Sequence, residues 1–300
     1  MKRDPAECGE GTDAIVLRRI SYGETDLVLQ LATRRFGRIA CFARAAKRSR
    51  RRFPAGFPSF ARLEIRVGPP GRADALRPIL EAQVVRPHLR LPRDLPCYAA
   101  AGLLVEVARE ALPEEQPEPD AFDALAEALD RLDEGPFGWG ELLAAEMRLL
   151  APLGLAPRLG SCLSCGAPAP PRRAACFDVA RGGVICRRCG GAERTISGEA
   201  RERMLAALAP LAGEAAPPAP DAGPGPLHDA QRILVEFLEH QFGRRFRSAR
   251  LLEQVAGRGG GPPARRGSSC RRLATPRRTA GPRRKGRRPE RVGCVRARGR

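Results

Sequence analysis

Alternation of apolar and polar positions dominates the first eighty residues. Ile15 and Leu17 are apolar at every second position between Asp13 and Ile20, and Leu27, Leu29 and Leu31 repeat the pattern. Phe36 to Phe42 continues it around a turn at Gly37; Leu63, Ile65 and Val67 form a fourth run within Phe60 to Val67. Ala75 to Val85 is a weaker fifth, broken by Pro78. A period of two is that of a half-buried strand. Five short strands separated by turn residues predict a small sandwich or barrel, and a five-stranded OB barrel over residues 1–82 is the form expected.

Beyond residue 82 the period becomes helical. Pro96 to Leu112 places Leu103, Leu104, Val107 and Ala108 on one face, and Pro113 with the Glu-Pro stretch to Pro119 ends it. Asp120 is a suitable N-cap for a second helix carrying Phe122, Leu125, Leu129 and Leu132, with Gly135 past its end. Trp139 to Leu153 gives a third, stopped by Gly154 and Pro157. Three amphipathic helices predict a small bundle. Ser197 caps a further helix with Met204, Leu205, Leu208 and Leu211, and Ala215 to Pro226 reads as a Pro/Gly-rich loop. A last helix carries Ile233, Leu234, Phe237, Leu238 and Phe242 and stops at Gly243. The chain is therefore expected to be an α+β multidomain protein, with an all-helical domain over 83–256. From Gly257 to Arg300 neither period persists and Gly, Pro and Arg prevail, as in a disordered basic tail. That tail is either a nucleic-acid-binding arm or an unselected extension.

Charge sharpens this picture. The formal net charge of +19 is segregated. Residues 1–80 hold 17 basic and 8 acidic side chains, 81–161 hold 7 and 15, 162–256 hold 13 and 10, and 257–300 hold 16 and 1. Segregated positive charge favours a polyanion, most often nucleic acid. The densest run in the head is Arg44, Lys47, Arg48, Arg50, Arg51 and Arg52, six cations in nine residues between the third and fourth strands. Such a loop can track a phosphate backbone. Arg34, Arg35 and Arg38 stand at the preceding turn and join the candidate set. A solvated loop without a partner is the plain alternative. Phe53 and Phe57 flank the run and could stack on bases, although core packing is the commoner use of phenylalanine.

Chemistry concentrates in one more place. Cys162-Leu-Ser-Cys165-Gly166 and Cys186-Arg-Arg-Cys189-Gly190 are two knuckles in the arrangement C-x2-C-x20-C-x2-C, at the edge of the range for a four-cysteine zinc site. A two-residue spacer lets both sulfurs of a knuckle reach one ion, and two knuckles complete a tetrahedron. A closed shell of four sulfurs leaves no place for water, so the expected zinc is single and structural. Two disulfides or four unrelated thiols are the competing readings. The third helix runs straight into the first knuckle, so the finger, at about 160–194, is inserted in the helical domain. His228 and His240 are isolated and are read as surface or packed histidines.

No catalytic signature accompanies these features. There is no G-x-x-x-x-G-K-[ST] loop and no H-E-x-x-H. A zinc deaminase needs an acidic partner near its ligands and a proline before its C-x-x-C pair, and Ile185 precedes Cys186. The chain is expected not to be an enzyme. Met1 to Asp13 contains no apolar run and no segment approaches the ~20 apolar residues of a membrane helix. A cytoplasmic, nucleoid-associated protein is expected, with ten cysteines kept reduced.

The order of these parts resembles the RecO family of bacterial recombination mediators. Four passages carry the resemblance. They are Ala14-Ile-Val-Leu with Tyr22-Gly-Glu-Thr-Asp26 and Thr33-Arg-Arg-Phe-Gly37; the basic loop Arg44 to Arg52 before Phe60; Leu149 to Pro157 leading into Cys162; and Phe242 to Arg250. Together they span about Asp13 to Leu252. The resemblance implies an N-terminal OB fold, a helical domain and a zinc finger. It also implies binding of single- and double-stranded DNA and annealing of complementary strands. Joint work with RecR and single-strand binding protein to load RecA is implied as well. In two places the chain departs from the family pattern: Ala45-Ala46 stands where a glycine is usual before the basic loop, and the segment after Ala256 has no counterpart. A zinc-ribbon module acting on RNA or in transcription, and an unrecognised hydrolase, are the alternatives.

Overall fold

A computed structural model describes residues 9–70, 76–209 and 223–256. The predicted tail, Ala75 at the start of the fifth run, Leu211 and residues 215–222 of the expected loop lie outside the described residues.

The period-two runs are strands: β1 (Glu10–Tyr22), β2 (Asp26–Thr33), β3 (Gly37–Ala43), β4 (Arg62–Val67) and β5 (Arg77–Arg86). They close into a barrel in the order β1-β2-β3-β5-β4, sealed by antiparallel pairing of β1 with β4. The β3–β5 pairing is parallel and covers only Cys41↔Arg77 and Phe42↔Pro78. This is an OB-like barrel. Its interior holds Val16, Leu29, Leu31, Ile39, Cys41, Leu63, Ile65 and Ile79. One expectation is corrected in phase. Ile15 and Leu17 point away from the barrel and belong to the helical core, while Ala14 and Val16 point inward. β1 is buried on both faces there, which a single alternating pattern does not reveal.

The short β3–β5 seam is completed from outside. The Arg38 N–H donates to Pro113 O and the Glu115 N–H to Arg38 O. The stretch after the first helix thus lies along β3. Gly37, at φ 68, faces Gln116 so closely that a Cβ would sit 1.9 Å from its carbonyl oxygen. Glycine is the residue that fits both the turn and the approach.

The helical region comprises α1 (Leu95–Ala111), α2 (Pro119–Glu134), α3 (Trp139–Leu150), α4 (Gly198–Ala206), α5 (Pro224–Phe242) and α6 (Arg247–Ala256). Several boundaries differ from the sequence reading: α3 ends at Leu150 rather than Leu153, and α4 ends at Ala206, short of Leu208. α2 begins at Pro119 behind Glu118, which leaves Asp120 in the first turn rather than at the cap. α5 begins at Pro224, because proline suits the first helical turn, where no N–H partner is needed. The passage Phe242 to Arg250 is not one helix end but a break followed by α6, with Gly243 at φ 63. Phe246 is buried, and the Ser248 N–H docks α6 on α1 through the Glu106 carboxylate at 2.9 Å. Ser197 caps α4 as expected, accepting from the Ala200 N–H.

Between α3 and α4 lies a lobe with three short strands that the sequence reading did not foresee. They are β6 (Ala175–Asp178), β7 (Gly183–Ile185) and β8 (Arg194–Ile196), in the order β7-β6-β8. Phe177, Val184 and Ile196 join the helical core, with Phe177 edge-on to Phe237 of α5.

Barrel and helices are joined by polar clamps as well. His88 is buried, with Nδ1 2.8 Å from Phe60 O and Nε2 2.7 Å from Asp130 of α2. Arg86 pairs with the same Asp130 at 2.8 Å.

The backbone at Ala45 has a measurable consequence. Ala45 opens the basic loop at φ 54, in the left-handed region. That region costs a residue with a Cβ about 1–2 kcal/mol. Glycine loses about 0.4–1 kcal/mol through its freer unfolded chain. Ala45→Gly is therefore expected to stabilise the protein by about 0.5 kcal/mol, read as a higher urea midpoint at unchanged slope. A lower midpoint contradicts this loop geometry.

Candidate nucleic-acid interface and cysteine cluster

The basic loop is built on hydrogen bonds and two buried rings. Its start is pinned to the β1–β2 turn: the Ala45 N–H donates to Asp26 Oδ1 at 2.7 Å and the Lys47 N–H to Thr25 O at 2.9 Å. Asp26 is held below the usual carboxylate range, first by the Ala45 N–H, then by the Thr25 hydroxyl, with the charges of Arg44 and Lys47 adding to it. Further on, the Phe53 N–H donates to Ser49 O and the Ala82 N–H of β5 to Arg52 O. Phe53 and Phe57 are buried in the barrel core with ring centroids 5.1 Å apart. The base-stacking role considered for them is thereby overturned: they anchor the loop.

The cations are left outward. Among the described residues, the barrel's ion pairs are made by Arg34, Arg35, Arg38, Arg62, Arg66, Arg77 and Arg86. None is made by Arg44, Lys47, Arg48, Arg50, Arg51 or Arg52. Arg52 instead lies over the Phe53 ring at 5.1 Å and donates to Arg44 O. An open groove of about 380 Å³ runs between the loop and the barrel, lined by Arg19, Lys47, Arg48, Arg50, Phe57 and Pro58 among others. Lys47, Arg48 and Arg50 of the loop line this groove, while Arg44, Arg51 and Arg52 stand outside its lining; cations without ion pairs beside a groove are an arrangement that favours a polyanion.

The nine candidate cations do not form one group. Arg34, Arg35 and Arg38 stand at the far end of β3, whose seven residues span about 20 Å. Arg34 forks onto Asp123 of α2 at 2.9 and 3.0 Å, which raises its pKa further. Arg35 pairs with Glu10 at 3.0 Å. Arg38 pairs with Glu114 at 2.9 Å and donates to Leu112 O. Two of the three therefore bind barrel to helices.

The four cysteines do come together. The Sγ atoms of Cys162, Cys165, Cys186 and Cys189 all lie within 4.8 Å of one another. Gly166 at φ 71 and Gly190 at φ 108 turn the two knuckles. The first knuckle is strung to β7 by the Leu163 N–H to Val184 O bond. Cys165 and Cys186 sulfurs are 3.8 Å apart. A tetrahedron with ~2.3 Å metal–sulfur bonds has edges of about 3.8 Å, so the cluster fits a metal ion held by four sulfurs. The N–H groups of Cys186 and Cys165 hold the Cys162 thiol down to about 6, and Cys186 is lowered by the Cys189 N–H. The neighbouring sulfurs of Cys186 and Cys165 push Cys189 up to about 12. Four sulfurs at this separation could hold a cation.

Two features escaped the sequence reading. Arg201 of α4 is buried and donates to Leu159 O at 3.1 Å and to Pro170 O, pinning both chains that flank the first knuckle. Its signal was its place one turn before Met204 on the apolar side of α4. The second is the outward face of β1–β3, where Ile20, Tyr22, Val28 and Phe42 occupy the phase opposite to the core.

The fold and site together define a barrel–helix protein with a four-cysteine lobe and one cationic loop that makes no ion pair among the described residues. Residues 10–88 match the family model for the recombination protein O N terminal, and residues 92–250 that for its C terminal. The chain is 38% identical over 251 residues to the DNA repair protein RecO of Anaeromyxobacter sp. (strain K), covering 80% of this chain and 94% of that one. It is 35% identical over 247 residues to that of Myxococcus xanthus, covering 81% and 96%. For Exiguobacterium sibiricum the figures are 32% over 245 residues, 81% and 96%. The chain belongs to the RecO family of DNA repair proteins. No helix among the described residues is long and apolar enough to cross a membrane.

Proposed function

We propose that this chain is a non-enzymatic recombination mediator that binds single- and double-stranded DNA through the phosphate backbone. It anneals complementary strands and, with RecR, helps load RecA onto DNA coated with single-strand binding protein. The observation that carries the reading is the run of six cations on the barrel loop, none of them in an ion pair among the described residues and three of them lining the groove, in a chain of a DNA repair family. A loop that neutralises phosphates on two strands lowers their mutual repulsion and lets bases pair. The four sulfurs hold one structural zinc, since an all-thiolate tetrahedral set suits zinc. Residues Cys162, Cys165, Cys186 and Cys189 are its ligands, and the ion supplies folding energy rather than chemistry. The protein works in the cytoplasm at the nucleoid.

Phosphate binding predicts a salt slope. Each lost contact reduces the logarithmic slope by about 0.7 on single strands and 0.9 on duplex. The triple change Arg50→Ala, Arg51→Ala, Arg52→Ala in the full chain is expected to lower the slope by about 2 on single strands and to weaken both substrates. It should also slow annealing of strands coated with single-strand binding protein. Unchanged slopes place the DNA site elsewhere.

A further inference from the structure

We propose that the free edge of β1 over Arg18–Tyr22 pairs with the same edge of a second copy of this chain, joining two barrels across a twofold axis as a weak antiparallel dimer. The pairing does not depend on the DNA-binding reading. On that reading it brings two basic loops into one assembly, one for each strand to be annealed.

β1 changes partners along its length. Glu10 to Ile15 pair with β4, and Ala14 to Tyr22 pair with β2. A bulge between Val16 and Arg18 turns the strand where the partners change. β4 begins at Arg62, opposite Ile15, so from Arg18 to Tyr22 the side of β1 away from β2 meets no strand among the described residues. Burial divides at the same point. Ala14 to Leu17 are buried, and Arg18 to Tyr22 are all exposed. Arg19 reaches across the barrel end to Phe57 O at 2.8 Å, but through its guanidinium and on the inward face, where it lines the groove with Leu27. Alternate residues of this stretch therefore turn their backbone N–H and C=O groups to solvent. Such an edge is a template for another strand, and no proline interrupts it.

The residues of the edge identify its occupant. Laid antiparallel against itself about Ile20, Arg18-Arg-Ile-Ser-Tyr22 is self-complementary. Ile20 faces Ile20 of the second copy, Arg18 faces Tyr22, and Arg19 faces Ser21. An apolar pair at the axis, flanked on each side by an arginine beside an aromatic ring, is a favourable cross-strand set. No cation faces a cation in this register, whereas a slip that centres the pair on Arg19 sets arginine against arginine. Tyr22 is 61% and Ile20 41% exposed, so both have apolar surface left to cover. Identical patches meeting across a twofold axis close the assembly at two copies. Its strength follows from size and charge. Five residues a side extend about 17 Å, well short of the ~800 Å² per partner of a stable interface. Each chain also carries a net charge of +19, so the copies repel. Salt screens that repulsion. Self-association is therefore expected to strengthen with salt, opposite to phosphate binding, which weakens with it.

The test is sedimentation velocity on the full chain, without nucleic acid and under reducing conditions, over a concentration series at low and high salt. The wild type is expected to shift from monomer toward dimer as concentration rises, with tighter association at high salt. Ile20→Lys and Ile20→Glu each set like charges face to face at the axis. Each alone is expected to self-associate at least about fivefold more weakly than the wild type. An equimolar mixture of the two should recover association, because opposite charges then meet. Ile20 is exposed, and equal melting temperatures confirm that the variants fold. A wild type that stays monomeric at every concentration and salt overturns the proposal. Association that both single variants retain also overturns it, since the contact then runs through another surface. A mixture that fails to recover overturns the register about Ile20, and with it the twofold edge pairing.

Discussion

Replacing Cys186 with serine is expected to release the metal and melt the lobe between α3 and α4. The strands of that lobe are four, three and three residues long, too short to hold a sheet by themselves. Cys186 is central to it: its N–H donates to Cys162 Sγ at 3.3 Å, and its carbonyl accepts from Cys189 and Gly191. In small metal lobes the binding free energy is folding free energy, about 10–16 kcal/mol for a zinc finger. The loss spreads, because Phe177, Val184 and Ile196 sit in the helical core. Wild-type protein purified under reducing conditions should carry about one zinc per chain and Cys186→Ser close to none, with a melting temperature lower by ten degrees or more, at about 2–4 °C per kcal/mol. Cys97→Ser, at a buried thiol outside the cluster, should keep the zinc. Wild-type protein without zinc, or a serine variant that retains it, refutes the site.

Much of this architecture is legible from periodicity, and the exceptions have physical causes. Strands β1 to β4 and the four cysteines are marked by patterns local to a few residues, and structure and sequence agree on them. The phase of Ile15 and Leu17 is not local: it depends on the helical region packing against β1. The lobe's strands escaped because three residues are too few for a period to register. The ion pairs of Arg34 and Arg38 escaped because Asp123 and Glu114 lie far along the chain. Composition alone could not separate cations that bind helices from cations that face a groove. Phe53 and Phe57 were ambiguous for a related reason, since a ring beside a basic run fits both a core anchor and a base platform. Exposure of Tyr22 has no local mark, because it depends on where the helical region stops covering β1. One further residue is visible in the pattern. Leu142, Leu143, Glu146, Met147, Leu149 and Leu150 share the buried side of α3, so helical spacing alone puts a carboxyl in the core.

That carboxyl should make stability fall as pH rises. Glu146 is fully buried, and its hydrogen bond is with Gln231 of α5, whose Nε2 donates to Oε1 at 2.9 Å. Burial pushes it up to about 8 from an ordinary 4.5, and the Gln231 bond opposes this only in part. Below pH 4.5 both folded and unfolded chains hold the proton, and the contribution to stability is complete. Between about 4.5 and 8 the unfolded chain has released the proton and the folded chain retains it. The unfolded state then binds fewer protons, so stability is lost at up to about 1.4 kcal/mol per pH unit. The full span is on the order of 5 kcal/mol, large against a typical 5–15 kcal/mol of net stability. Glu146 Oε2 and Gln231 Oε1 have no partner among the described residues, so an ionised carboxylate here is met by a single hydrogen bond. Glu146→Gln keeps the side chain neutral at every pH. The variant is expected to match the wild type near pH 5 and to exceed it by a few kcal/mol at pH 8, with a flatter profile between. Glu146→Leu also removes the titration but leaves Gln231 buried without a partner, at a cost of about 1–3 kcal/mol, so it should fall below Glu146→Gln at every pH. Urea unfolding at pH 5, 6.5 and 8 measures all three proteins. Parallel profiles for wild type and Glu146→Gln would show that the proton on Glu146 is not what titrates.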